Sequence, residues 1–236
     1  MADSPLPGKF SLQWSVVDTA QKALSCDRID GVTMTVLARN LAVDGGNTYP
    51  FSCSTGMGES ELLVAGTYKL DFELGSAAFG LLATAPQQSS VVIEPGKVTQ
   101  LEPVVFQVEA TGALALNLSA GAGGNCAAMD TISIALTHAS DGACEPIVLS
   151  VGAGATSGKP ASTYTINCAA PTDVPCIETD QLITATAVAS DQYTIRLRGK
   201  KAGTLCRTND DTIRVPPLGM TLTRTLNFAS TGATDC

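Results

Sequence analysis

The chain has 236 residues, 44% of them hydrophobic and only 15% charged, with a net charge of −8. It has length for one or two domains and enough apolar content to bury a core, which excludes a disordered chain. Its 14 basic residues are dispersed, which excludes nucleic acid as a partner, because phosphate backbones are held by clustered Lys and Arg. The one short basic group is Arg196, Arg198, Lys200 and Lys201. No run of about 18 strongly apolar residues predicts a membrane span.

From the N-terminus, Met1-Ala-Asp-Ser-Pro-Leu-Pro has neither a basic start nor an apolar stretch. No signal peptide is read there, and an export signal, with a lipid anchor as one form of it, is expected ahead of Met1. Period-two alternation then dominates, the pattern of half-buried strands. Phe10, Leu12, Trp14 and Val16 share one face, and Trp14 reads as core. Asp18 to Leu24 predicts a short loop helix at most. Val32, Met34 and Val36 form a second strand, and Tyr68, Leu70 and Phe72 a later one. Asp44-Gly45-Gly46-Asn47, Glu94-Pro95-Gly96-Lys97 and Ser140-Asp141-Gly142 carry turn chemistry. The fold class is all-β, of the sandwich type.

The pattern repeats. Val32-Met34-Val36 matches Ile132-Ile134-Leu136, and Cys26 matches Cys126. Thr48-Tyr49 and Cys53 match Thr163-Tyr164 and Cys168, Gly66 to Leu70 matches Asp191 to Ile195, and Phe106 matches Phe228. The order is preserved while the spacing drifts. This predicts two tandem β-sandwich domains from an internal duplication, residues 1–110 and 111–236, the second with an inserted hairpin and extra disulfides.

Eight cysteines without a CxxC pair argue for disulfides rather than zinc, and for an oxidising compartment. The protein is therefore expected to be exported: periplasmic, cell-surface or extracellular. Cys26 and Cys53 fall at the same end of one predicted hairpin and should pair. The repeat predicts Cys126–Cys168 as the counterpart. The returning last strand brings Cys206 near Cys236, which leaves Cys144 with Cys176. A competing scheme joins Cys144 to Cys168 across the extra hairpin.

The stretches Leu63-Val64-Ala65-Gly66-Thr67-Tyr68-Lys69-Leu70 and Val188-Ala189-Ser190-Asp191-Gln192-Tyr193-Thr194-Ile195 resemble the Gly-Thr-Tyr strand entry of transthyretin-like domains. These include the carboxypeptidase regulatory-like and collagen-adhesin B-type groups. The second stretch departs by Asp-Gln in place of Gly-Thr. The layout is also similar to secreted lipoproteins of myxobacterial type. The resemblance implies a seven- or eight-strand Ig-like sandwich on an exported protein, and no reaction. Adhesin domains of this kind often carry a Lys–Asn crosslink between first and last strands. Lys9 has no Asn or Asp facing it in Val104–Val108, and Asn227 has no lysine in Ala113–Ser119, so none is expected.

Catalytic groups are sparse. His138 follows Ile132, Ile134 and Leu136 and is expected to pack at the sandwich rim. No GxSxG elbow or HExxH helix occurs. Gly152 to Pro160 resembles a phosphate loop only in its glycines, and Pro160 stands where a magnesium-binding Ser or Thr should be. Glu59 with Glu61 and Glu178 with Asp180 are carboxylate pairs at loop positions. Asn209-Asp210-Asp211 and Asp27 with Asp30 are the best oxygen clusters for calcium, and a solvated turn explains both. No catalytic residue, metal site or cofactor is predicted. Tyr49 and Tyr164 are weak candidates for ligand platforms, and Asn117-Leu118-Ser119 is a glycosylation sequon. The expectation is a non-catalytic exported structural or interaction module of the cell surface, envelope or matrix, with self-association or a protein partner. The alternative is a monomeric carbohydrate- or protein-binding domain.

Overall fold

The computed structural model describes residues 6–121, 124–168 and 172–233. The chain forms two compact units, Met1–Ala110 and Thr111–Cys236. Each is a pair of β-sheets, and among the described residues no helix is long and apolar enough to cross a membrane.

The first unit contains β1 (Lys9–Asp18), β2 (Thr33–Asn40), β3 (Asn47–Ser52), β4 (Met57–Glu59), β5 (Gly66–Ser76), β6 (Gly80–Ile93), β7 (Val98–Gln100) and β8 (Val104–Val108). One sheet runs β3-β2-β5-β6; the other is built on β1, antiparallel to β4 and parallel to β7 and β8. The alternation of β1 fixes which face is buried: Phe10, Leu12, Trp14 and Val16 point into the core. The Trp14 indole N–H donates to the Cys53 carbonyl at 2.9 Å, so its one polar atom is satisfied in the interior. The expected loop helix after β1 is a turn instead. The Asp18 carboxylate accepts the amides of Ala20 and Lys22, an Asx-type arrangement that competes with helix formation.

The second unit contains β9 (Thr111–Ser119), α1 (Asn125–Ala128), β10 (Thr131–His138), β11 (Ile147–Val151), β12 (Ser162–Ile166), β13 (Thr172–Pro175), β14 (Ile183–Ala189), β15 (Asp191–Lys201), β16 (Thr204–Val215), β17 (Thr221–Asn227) and β18 (Ala229–Ser230). Its sheets run β13-β10-β15-β16-β18 and β12-β11-β14-β9-β17. The strand pairings repeat those of the first unit. β10 lies between antiparallel β13 and β15, as β2 lies between β3 and β5. β9 pairs with antiparallel β14 and parallel β17, as β1 does with β4 and β8. The β11–β12 hairpin is the addition, joined to the sheet through β14.

This topology corrects the alignment of the copies. Tyr68 faces Asn40 and Leu74 faces Met34 across β5 and β2; Tyr193 faces His138 and Gly199 faces Ile132 across β15 and β10. The matching core residues are therefore Met34, Val36 and Ala38 with Ile132, Ile134 and Leu136. Val32 lies outside the strand and is 51% exposed. Cys53 follows Ser52, which faces Thr33, and Cys176 follows Pro175, which faces Thr131. The counterpart of Cys53 is thus Cys176, and β12, which holds Tyr164, belongs to the insertion.

The disulfides follow this register. Cys26–Cys53 forms as expected. Its counterpart is Cys126–Cys176, not Cys126–Cys168, and Cys144 pairs with Cys168, not with Cys176. Cys144–Cys168 closes the base of the inserted hairpin, as the competing scheme has it. Cys206 is disulfide-bonded, and its expected partner Cys236 lies outside the described residues.

Candidate functional site

The most organised polar cluster is in the second unit, where β10 ends. His138 is 7% exposed. Its Nδ1 lies 2.8 Å from Asp191 Oδ2, at the first residue of β15. Its Nε2 lies 3.1 Å from Glu145 Oε2, just after Cys144. The ring packs on Tyr193, with centroids 4.6 Å apart. A carboxylate only accepts, so both contacts are hydrogen bonds when both ring nitrogens carry hydrogen. Neighbouring Ser190 donates its hydroxyl to the Val215 carbonyl at 3.0 Å. Both ring nitrogens thus face carboxylates. The arrangement ties the entrance of the inserted hairpin to β10 and β15.

Sequence reading placed His138 at the rim but missed both acids. One signal was present: the departure of Asp191 from the Gly-Thr-Tyr pattern. In the first unit the same positions hold Asn40 and Gly66, and a Cβ on Gly66 would stand 2.9 Å from Asn40 Nδ2. Gly66 and Asn40 are replaced together by Asp191 and His138.

The other carboxylates also hold loops. Glu178 accepts the amides of Asn125 and Cys126 at 2.9 and 3.3 Å, at the start of α1. Asp180 accepts the amides of Thr156 and Ser157 and the Ser157 hydroxyl, at 2.7 to 2.8 Å. These hydrogen bonds hold the Asp180 carboxyl below its ordinary range. The glycine-rich loop that resembles a phosphate cradle is thus filled by the protein's own carboxylate. A Cβ on Gly154 would meet Ser157 Oγ at 2.1 Å and Asp180 Oδ1 at 2.8 Å, so a larger residue there would displace these side chains.

The candidate calcium oxygens do not converge. Asp210 pairs with Arg198 at 2.9 Å and is held low by it. Asp211 pairs with Arg224 at 3.0 Å, and the Asn209 amide donates to the Asn227 carbonyl. Asp30 accepts the Ser76 hydroxyl at 2.9 Å. Cys126, Cys176 and Glu178 lie together as a possible metal-ligating group, but their sulfurs are spent in a disulfide.

A cleft of about 550 Å³ opens in the first unit where edge strand β3 faces β4 and the loop after it. Tyr49, Phe51, Glu59 and Glu61 line it. Tyr49 is 8% exposed and packs edge-on against Phe10 at 5.3 Å. Burial pushes its phenol up, while the Asn47 side chain works the other way. Phe51 leans toward Trp14 at 5.7 Å. Gly58 makes room for it, since a Cβ there would stand 2.3 Å from the ring. Glu59 is paired with Lys9 at 2.8 Å. Tyr164 occupies no corresponding place; it is half-buried against the core of the second unit.

The sequence matches no protein-family model and no curated protein. Comparison with solved structures finds matches at low similarity. The Bacillus anthracis TIE protein aligns with 95% of this chain at 9% identity and a TM-score of 0.38, and this chain spans 34% of its length. A Streptococcus pyogenes major pilin aligns over 94% of this chain and 98% of its own at 8% identity and a TM-score of 0.33. A Bacteroides thetaiotaomicron structure described as putative polysaccharide binding proteins aligns over 84% of this chain and 78% of its own, at 8% identity and a TM-score of 0.34.

Proposed function

We propose that the chain is an exported, non-catalytic structural or interaction module that works through its surfaces, self-association included. The observation that carries this reading is the closed hydrogen bonding of its chemically capable groups. His138 is held between Asp191 and Glu145, and Glu178 and Asp180 are consumed by backbone amides. The disulfides support export, since such bonds persist in oxidising compartments. They also support a mechanical role: Cys26–Cys53 and Cys126–Cys176 fasten the same end of the equivalent strand pair in both units, β2 with β3 and β10 with β13.

Light scattering on the oxidised protein across a concentration series, with negative-stain microscopy of the same sample, tests the reading. Dimers, rings or filaments are the expected outcome. A monomer at every concentration overturns the self-associating form.

The cleft beside Tyr49 favours a second reading, ligand binding by the first unit. Its aromatic wall and two carboxylates suit a neutral polar ligand such as a glycan. A ligand that binds the folded state raises the melting temperature, so a glycan panel read by thermal melting tests this reading. No shift with any glycan removes it.

A further inference from the structure

Side chains alternate across a strand, so the register of the second unit identifies what its β12-β11-β14-β9-β17 sheet presents away from the core. One row runs across all five strands: Thr223, Ala115, Thr184, Ser150 and Thr163. The next row contains Thr221, Ala113, Val148 and Thr165. The only charged residue in these strands, Arg224, belongs to the opposite register of β17 and pairs with Asp211 on β16. The outward face is therefore uncharged. The other three sheets differ. β15 and β16 turn Arg196, Arg198 and Asp210 outward, β5 turns out Asp71 and Glu73, and β1 with β4 carries Lys9 and Glu59.

We propose that this charge-free face is a docking surface for a second copy of the same chain, packed face to face about a two-fold axis. The proposal rests on the reading that the protein works by surface contact, and it names the surface and the partner. Two arguments select a second copy. The first is charge. Two molecules of net charge −8 repel, and an uncharged face lets them approach without opposing like charges. The second is shape. Leu182 is 42% exposed and forms one wall of a shallow hollow of about 440 Å³ that Ser150, Gly152, Ala161 and Thr184 also line. A raised wall beside its own hollow is self-complementary: under a two-fold axis the Leu182 wall of each copy can seat in the hollow of the other. The face has no outward aromatic ring to stack a sugar.

The available area sets the strength. Five strands about 4.8 Å apart and rows about 7 Å apart give roughly 500 Å² per copy with side-chain margins. About 1,000 Å² in total lies at the lower limit of a specific interface. The dimer should be weak, reversible and favoured by salt, which screens the net repulsion.

Sedimentation of the full oxidised chain over a concentration series tests this. Ser150→Lys places a charge on β11 at the hollow, and Thr223→Lys places one on β17, so the test survives if either variant fails to fold. Thr35→Lys, on the outward side of β2, makes the same charge change elsewhere. The wild type and Thr35→Lys should dimerise alike, and the two face variants should weaken the dimer by at least about tenfold. A wild-type monomer throughout overturns this proposal together with the self-association reading. Dimers or larger assemblies that ignore both face variants overturn the docking face alone.

Discussion

His138 and Asp191 meet at 2.8 Å across β10 and β15, at the two positions that Asn40 and Gly66 occupy in the first unit. The duplicated fold therefore carries two solutions at one corner. The first is small and neutral: glycine leaves room for Asn40, whose side chain accepts the Ala42 amide at 2.9 Å. The second is a larger polar cluster, and it reaches a third residue, Glu145, in the inserted segment.

His138→Ala removes the ring from Glu145 and from Asp191, which keeps the Gln192 amide at 2.7 Å, and should destabilise the second unit by about 1 to 3 kcal/mol. His138→Asn with Asp191→Gly, which transplants the first unit's pair, should lose less than the two single changes added together. Denaturant unfolding followed on the second unit checks this, and strict additivity would sink the coupling.

Both units share a tyrosine that closes the strand entry. Tyr68 donates its hydroxyl to the Val64 carbonyl at 2.7 Å, and Tyr193 donates to the Ala189 carbonyl at 2.8 Å. Tyr68→Phe and Tyr193→Phe should each cost about 1 to 2 kcal/mol, the order expected for a part-buried hydrogen bond whose acceptor is left unpaired. Thermal melts of the two variants should show similar losses.

Peptide mapping of the non-reduced protein should recover Cys26–Cys53, Cys126–Cys176 and Cys144–Cys168. A peptide joining Cys126 to Cys168 would overturn the register given for β13. Replacing Cys144 and Cys168 by Ala should cost about 3 kcal/mol through the freed loop. The loss should concentrate in β11 and β12, as read by hydrogen exchange.

Asp180 gives a pH prediction with a definite sign. Its carboxyl titrates lower in the folded chain than its ordinary value of 3.8 because the Ser157 and Thr156 amides hold the anion. The stabilisation is therefore complete above the ordinary value and is lost as pH falls through the lowered one. The Thr156 and Ser157 amides should stay protected in mild acid and open only below the usual carboxylate range. Asp180→Asn should open them at neutral pH. Protection that ignores this substitution would contradict the assignment.

The sequence alone carried the strand alternation of Phe10 to Val16, the duplication, the Cys26–Cys53 pair and the rim position of His138. These depend on local periodicity, turn chemistry and short-range closure, which neighbouring residues determine. It misread the second copy, where Cys168 and Tyr164 mimic Cys53 and Tyr49. A hairpin inserted between matching strands has the same alternation as the strands themselves, and only the pairing partner tells them apart. The carboxylates around His138, the filled amide loop at Asp180 and the uncharged face through Thr223, Ser150 and Thr163 were likewise decided by tertiary structure. Each joins residues far apart in sequence, and strand register alone fixes which of them share a face.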